Sequence, residues 1–258
     1  MGAPVWQWLD TGVRRAAENL ALNRALLEAR RAGEIPGTVR FHRYAPAALV
    51  GHHEDPAQAL DLAYCARQGI VVQRRLTGGG AIYMDEGVLG WELYLGRADV
   101  GTPEMPAISA RMCTAAAAAI RALGARAEYR APTDIVVGGR KISGTGGALD
   151  GDALLYQGTL LIDFDVEVML RALAATAPRV TPAFVAAARD SVVNLRECVA
   201  PLPAPERIHA AFVAAFAQEF GARIEPAVLG EPALARYRTA LAEIDDPAWV
   251  GLPAARAA

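Results

Sequence analysis

Three consecutive glycines, Gly78-Gly79-Gly80, follow the strand-like run Ile70 to Arg75 and precede a second one, Ala81 to Met84. A helix through this point would lose about 1 kcal/mol at each glycine relative to alanine, so the triplet forces a turn between strands. Val88 to Leu95 continues the pattern after an Asp85-Glu86-Gly87 turn. Further short strands are expected at Val39 to Tyr44, Ala48 to Gly51, Arg126 to Arg130, Ile135 to Val137, Arg140 to Ser143 and Ala153 to Asp163. Gly138-Gly139 fits the two-residue loop of a β-hairpin. Helices are expected over residues 12–31, 56–68, 103–123, 205–220 and 231–243. In the fourth, Ile208, Phe212, Phe216 and Phe220 form one i+4 stripe, which reads as core packing. Strands crowd the middle and helices flank them. The pattern predicts an α+β fold rather than a regular βαβ alternation.

The chain has 258 residues, of which 53% are hydrophobic, enough to bury a sizeable core. Its net charge of −2 removes the simplest nucleic-acid reading, since no basic excess exists to neutralise phosphates. Cys65, Cys113 and Cys198 lie far apart with no CxxC pair, which argues against a disulfide framework or a structural zinc site. No segment approaches 18 uninterrupted apolar residues, and no signal-like segment opens the sequence. A cytoplasmic protein without a membrane or nucleic-acid partner is expected.

Two segments carry chemistry. The first is Arg74-Arg75-Leu76-Thr77-Gly78-Gly79-Gly80. Its glycines serve either as a bare turn or as a cradle whose backbone N–H groups meet an anion. Two arginines beside it favour the anion, and strand alternation sends only one of them to the site. The second is the hairpin Pro132 to Gly147, which returns as Arg140-Lys141-Ile142-Ser143-Gly144. Alternation puts Lys141 on the face of Ser143. Among 26 basic residues Lys141 is the only lysine. It is either a solvated edge charge or an ammonium kept for a task that guanidinium cannot perform, such as following charge between a phosphate and a carboxylate.

Together these segments resemble the lipoate–protein ligase family, within the wider biotin/lipoate ligase and octanoyltransferase group. The family's RR-x-[ST]-GGG, GRK-x-SG and [HQ]-GTLL signatures stand here at Arg74 to Gly80, Gly139 to Gly144 and Gln157 to Leu161. The resemblance implies a mixed, largely antiparallel sheet flanked by helices, in a class II synthetase-like catalytic domain over residues 1–200. C-terminal helices at 201–258 are expected to pack on it, and the Pro- and Ala-rich tail beyond Asp245 reads as loose. The resemblance also implies Lys141 as the catalytic residue, bridging the acyl carbonyl and the α-phosphate. It further implies ligand contacts at Arg75, Thr77, Gly78, Gly79, Gly80, Ala81, Ile82, Tyr83, Asp134, Gly144, Thr145, Gly158 and Thr159, with Asp134 near phosphate and magnesium. The implied reaction consumes ATP with Mg2+ to make lipoyl-adenylate (or octanoyl-adenylate), then passes the acyl group to a lysine of an acceptor protein domain.

Several positions depart from the family pattern. Met84 and Val88 stand where His and Asn are usual, Gln157 replaces a commoner His, and Gly146-Gly147 are expected to loosen the loop after the hairpin. About 60 residues follow Asn194-Leu195, too few for the accessory domain of many such ligases, so either a partner subunit supplies it or none is needed. Two rival readings stay open: an ATP-independent acyltransferase using a cysteine thioester, and a non-catalytic lipoyl-binding subunit. Cys65 and Cys113 read as buried structural thiols, leaving Cys198 as the best nucleophile candidate. The adjacent His52-His53 read as surface loop rather than metal ligands.

Overall fold

A computed structural model describes residues 2–173 and 180–251. Its strands are β1 (Val5–Arg14), β2 (Thr38–Tyr44), β3 (Ala47–Val50), β4 (Val71–Arg74), β5 (Ile82–Met84), β6 (Val88–Gly96), β7 (Ala127–Arg130), β8 (Asp134–Val137), β9 (Arg140–Asp150), β10 (Ala153–Leu161) and β11 (Arg223–Pro226). The helices are α1 (Ala16–Arg31), α2 (Pro56–Ala59), α3 (Leu62–Arg67), α4 (Arg97–Val100), α5 (Met105–Ala122), α6 (Val166–Ala172), α7 (Pro182–Ser191), α8 (Leu195–Cys198), α9 (Pro205–Phe220), α10 (Glu231–Ile244) and α11 (Pro247–Val250).

Eight strands form one sheet in the order β11-β1-β2-β6-β10-β9-β8-β7, and β4-β3-β5 form a second, smaller sheet. The large sheet is parallel from β11 through β2 and antiparallel from β2 to β7. This is the mixed α+β architecture expected from the sequence.

Alternation along the central strands gives the large sheet two different faces. On one, Trp91 and Tyr156 pack with Met112 and Cys113 of α5 and Phe212 and Phe216 of α9. Pro205 opens α9 at its first turn and Gly221, at φ +58°, closes it. The other face meets α1 through charge. Arg40 and Glu92 are both fully buried and 3.0 Å apart. The Glu92 carboxylate also accepts from Asn23 at 2.6 Å, Tyr94 at 2.5 Å and Gln157 at 2.8 Å. Burial raises the Glu92 carboxyl, and the facing imidazole of His42, the Arg40 guanidinium and these donors outweigh it, bringing it to about 2. Buried charge is tolerated here because each oxygen is hydrogen-bonded.

Several boundaries differ from expectation. The first helix starts at Ala16, not residue 12, because residues 5–14 pair in parallel with both β2 and β11. The helix expected over 56–68 is two short ones: Asp61 restarts the chain as an N-cap, accepting from the Tyr64 N–H at 2.7 Å. Strand β9 continues to Asp150 rather than stopping at Ser143. Gly147 does not loosen it; its missing side chain leaves room for the Tyr156 ring, 2.7 Å from where a methyl would stand. Beyond Asp245, residues 247–250 form α11 rather than loose tail, and residues 252–258 lie outside the described residues.

Candidate active site

The hairpin β8–β9 sets the position of Lys141. Gly138 and Gly139 turn it at φ +57° and +79°, values open to glycine without strain. Pairing then slips: Lys141 stands opposite Val136, but Ser143 stands opposite Ile135, so Ile142 is an extra residue in β9. This bulge overturns the expectation that Lys141 and Ser143 share a face. Ser143 is fully buried, whereas the Lys141 side chain is 40% exposed and shares its face with Asp134.

On that face the Lys141 ammonium lies 2.7 Å from Asp134 Oδ1, and Arg130 Nη2 donates to Asp134 Oδ2 at 2.9 Å. Burial pushes the Asp134 carboxyl up, but the hydrogen bonds from Lys141 and Arg130 outweigh it and hold it below its ordinary value. Gly144 stands opposite Asp134, and the lysine folds over it: a methyl at Gly144 would come within 2.8 Å of both Cε and Nζ. Gly144 N–H donates to Thr159 Oγ1 at 3.1 Å. Thr159 is opposite Gly90, which is opposite His42. Asp134, Gly144, Thr159, Gly90 and His42 therefore form one row across the sheet, with small residues in its middle.

Two expected contacts fall on the opposite face. Thr145 bonds the Tyr156 hydroxyl at 2.7 Å and the Thr133 carbonyl at 3.0 Å, with Cys113 Sγ at 3.3 Å. Gly158 lies under Trp91, whose ring is 2.0 Å from where a methyl would stand. Alternation removes both side-chain positions from the face of Lys141.

The triple-glycine turn sits at the end of the small sheet. Arg75 donates to the carbonyls of Leu49 at 3.0 Å, Gly78 at 2.9 Å and Gly80 at 3.0 Å. Burial lowers its guanidinium from the ordinary value. It thus holds the turn from inside instead of reaching outward to a ligand. Carbonyls drawn inward leave amides outward: those of Gly78, Gly79, Gly80 and Ala81 donate to none of the described residues, and the three glycines are exposed. Such a run of free N–H groups has the chemistry to donate hydrogen bonds to an anion. Thr77 lends its carbonyl to the His52 N–H at 3.0 Å, and the buried Tyr83 packs against Phe164 with ring centroids 6.0 Å apart.

One apolar cluster joins the two motifs. It includes Leu76, Ala81 and Ile82 beside the glycines, and Val192, which bridges to Lys141. Met84 and Val88 are buried within it among Tyr44, Leu49, Leu161 and Phe164. The family's usual polar residues would be out of place in these surroundings.

Asp134 does not suit a metal ion, because both its oxygens already face cations. No group of three His, Cys, Asp or Glu side chains with metal-binding geometry occurs among the described residues. His52 and His53 are exposed and pack edge to face. The thiols are unactivated: burial pushes Cys65, Cys113 and Cys198 all above the ordinary thiol value. At Cys198, Arg140 lowers and Glu197 raises the value, without reversing the effect of burial.

Sequence reasoning missed Arg130 and the Arg40–Glu92 pair. Both had a signal, since each pairs opposite charges at positions that strand pairing brings together.

The family described as the lipoyl protein ligase A/B catalytic domain matches residues 15–217. The chain belongs to that family. It is 26% identical over 248 residues to an octanoyltransferase LipM of Kyrpidia tusciae, covering 87% of this chain and 90% of that one. It is also 26% identical over 191 residues to lipoate-protein ligase A subunit 1 of Thermoplasma acidophilum, covering 70% and 71%. The bipartite lipoate protein ligase of Thermoplasma acidophilum, solved in a study with its E2 lipoyl domain, superposes with a TM-score of 0.83 at 20% identity, covering 99% of this chain and all of that one. The chain is thus a lipoate ligase/octanoyltransferase family enzyme with that fold. No helix among the described residues is long and apolar enough to cross a membrane.

Proposed function

We propose that this enzyme activates lipoate or octanoate with ATP and transfers the acyl group to a lysine of a lipoyl-acceptor domain. The observation that carries this reading is the Lys141–Asp134 pair, folded over Gly144 and joined through one apolar cluster to a turn of four free amides. An amine and an anion cradle serve an acyl phosphate, and none of the three thiols is activated to hold an acyl thioester.

In the first half-reaction an oxygen of the fatty carboxylate bonds to the α-phosphorus, and the bond to the β-phosphate oxygen breaks, releasing pyrophosphate. Free amides at Gly78 to Ala81 receive phosphate oxygens. Lys141 leaves Asp134 to lie between the acyl and phosphate oxygens, where negative charge grows, and Asp134 restrains its swing. Gly144 and Thr159 form the floor. In the second half-reaction the acceptor amine bonds to the acyl carbon, the bond to the phosphate oxygen breaks, and AMP leaves with loss of one proton from the amine. The seven apolar carbons of the chain, buried at about 0.8 kcal/mol each, would hold the acyl group while scarcely separating lipoate from octanoate. Magnesium would arrive as the counter-ion of ATP; once Lys141 leaves, Asp134 keeps Arg130 on Oδ2 and has only Oδ1 to offer.

The assay is direct. With lipoate, ATP and magnesium the enzyme should release pyrophosphate and yield lipoyl-AMP by mass spectrometry. The second reading, ATP-independent octanoyl transfer, is favoured by the long match to the Kyrpidia tusciae octanoyltransferase. Transfer from an octanoyl carrier protein, with no adenylate formed, would establish it instead. An accessory subunit is required if adenylate forms but the acceptor stays unmodified; the Thermoplasma acidophilum relative, a subunit 1, motivates that arm.

A further inference from the structure

The guanidinium of Arg74, the neighbour of Arg75, bonds only to backbone carbonyls among the described residues. Its Nη1 donates to Gly51 at 3.0 Å, His52 at 2.8 Å and Glu54 at 2.8 Å, and its Nη2 donates to Val250 at 2.8 Å. The C-terminal segment returns the grip. Trp249 Nε1 donates to the Arg74 carbonyl at 3.1 Å, and Gln73 donates to the Ile244 carbonyl at 2.9 Å. Gly251, at φ +71°, closes α11 beside the guanidinium.

The loop that Arg74 gathers is the backing of the glycine turn. His52 N–H bonds the Thr77 carbonyl at 3.0 Å, and Arg75 N–H bonds the Val50 carbonyl at 2.9 Å. Gly51 and Gly79 approach so closely that a methyl on Gly51 would fall 2.0 Å from the Gly79 carbonyl oxygen. Loop 51–54 and the turn therefore move as one unit, and the guanidinium that fixes the loop is itself anchored on α11.

We propose that Arg74 is a positioning residue for the anion cradle and that α11 holds it in place, so that the C-terminal segment governs how firmly the glycine turn grips phosphate. This inference rests on the reading that the turn receives the phosphates of ATP. Guanidinium suits the role because its fork of donors reaches several carbonyls at once, whereas an ammonium is a point charge. A loop so tied loses little entropy on binding, so loosening it should weaken ground-state binding more than the chemical step.

Hydrogen exchange on the full chain tests the positioning without recourse to activity. In Arg74→Lys, the hydrogen-bonded amides of Gly51, His52, Glu54 and Arg75 should exchange about tenfold faster, with α5 and α9 unchanged, while the unpartnered amides of Gly78 to Ala81 exchange fast in both proteins. Trp249→Phe, which removes one donor and keeps an aromatic ring, should move the same hydrogen-bonded amides by about threefold, and serves if the first variant fails to fold. In steady-state adenylation Arg74→Lys should raise KM for ATP about tenfold and leave kcat within about twofold. Unchanged loop exchange in the folded variants, or a fall in kcat at constant KM, would overturn the proposal. Faster loop exchange alongside a wild-type enzyme that never consumes ATP would uphold the positioning and reject the adenylation reading.

Discussion

The two faces of the β8–β9–β10 region are built from alternate residues of the same strands, yet they do opposite things. On the α5 face Gly158 lies beneath Trp91, and Thr145, Tyr156 and Cys113 satisfy one another in a closed cluster. Nothing there is open to a substrate. On the other face the residues one step along, Gly144 and Thr159, leave a low floor beneath the Lys141 ammonium. Glycine means different things on the two sides: at Gly158 it yields space to a packed ring, at Gly144 to the far end of a flexible side chain. One inserted residue, Ile142, assigns Lys141 to the second face rather than to the face of Ser143. A single bulge separates core from chemistry.

That contrast can be attacked by substitution. Lys141→Ala should lower adenylate formation about 100- to 1,000-fold, the scale of losing one preorganised donor to a developing charge, while its melting curve stays close to that of the wild type. Equal activity in the two proteins would put the chemistry elsewhere. The buried polar end of the same face should answer to acid. Burial holds His42 at about 4, below its ordinary 6.5, so between these values the unfolded chain binds a proton that the folded chain refuses. Stability is then complete above pH 6.5 and declines as pH falls toward 4, by on the order of 3 kcal/mol from this group. Denaturant melts at several pH values check this, and His42→Gln should flatten the slope.

The glycines sharpen the comparison further. Gly158→Ala should cost about 1–3 kcal/mol of stability, because neither the strand nor the Trp91 ring can retreat. Gly144→Ala meets only the flexible end of Lys141, so it should melt near the wild type yet lose about tenfold in adenylation rate as the ammonium is displaced. If the two variants lose stability alike, the faces are not distinct in the way described. Smallest of all, Cys198→Ser should leave the adenylation rate within about twofold, since burial raises that thiol and the nearby Arg140 does not reverse it.

Much of this was legible beforehand. Helix α9 declared itself through Ile208, Phe212 and Phe216 at i+4 spacing and through Gly221 after its last turn, because each signal is local. The Gly138-Gly139 hairpin and the triple-glycine turn were equally plain, since few conformations suit such runs. What stayed hidden depends on distant partners. Strand β1 is held by β2 and by β11, the latter more than 200 residues away, and its Trp6 and Trp8 alternate over too short a run to announce a strand. The bulge at Ile142 has no local signature; plain alternation puts Lys141 beside Ser143, and only the register against β8 corrects it. Arg75 read as a ligand contact because a guanidinium beside glycines suits phosphate. The structure shows it bound to the turn's own carbonyls, a preference visible only once the turn is folded.

The central claim is that acyl transfer runs through an amine-stabilised acyl phosphate and not through a thiol. Its most direct test is the intact mass of the protein after incubation with an octanoyl carrier protein in the absence of ATP. The account predicts an unmodified chain; a covalent octanoyl adduct on Cys198 or either of the other cysteines would contradict it.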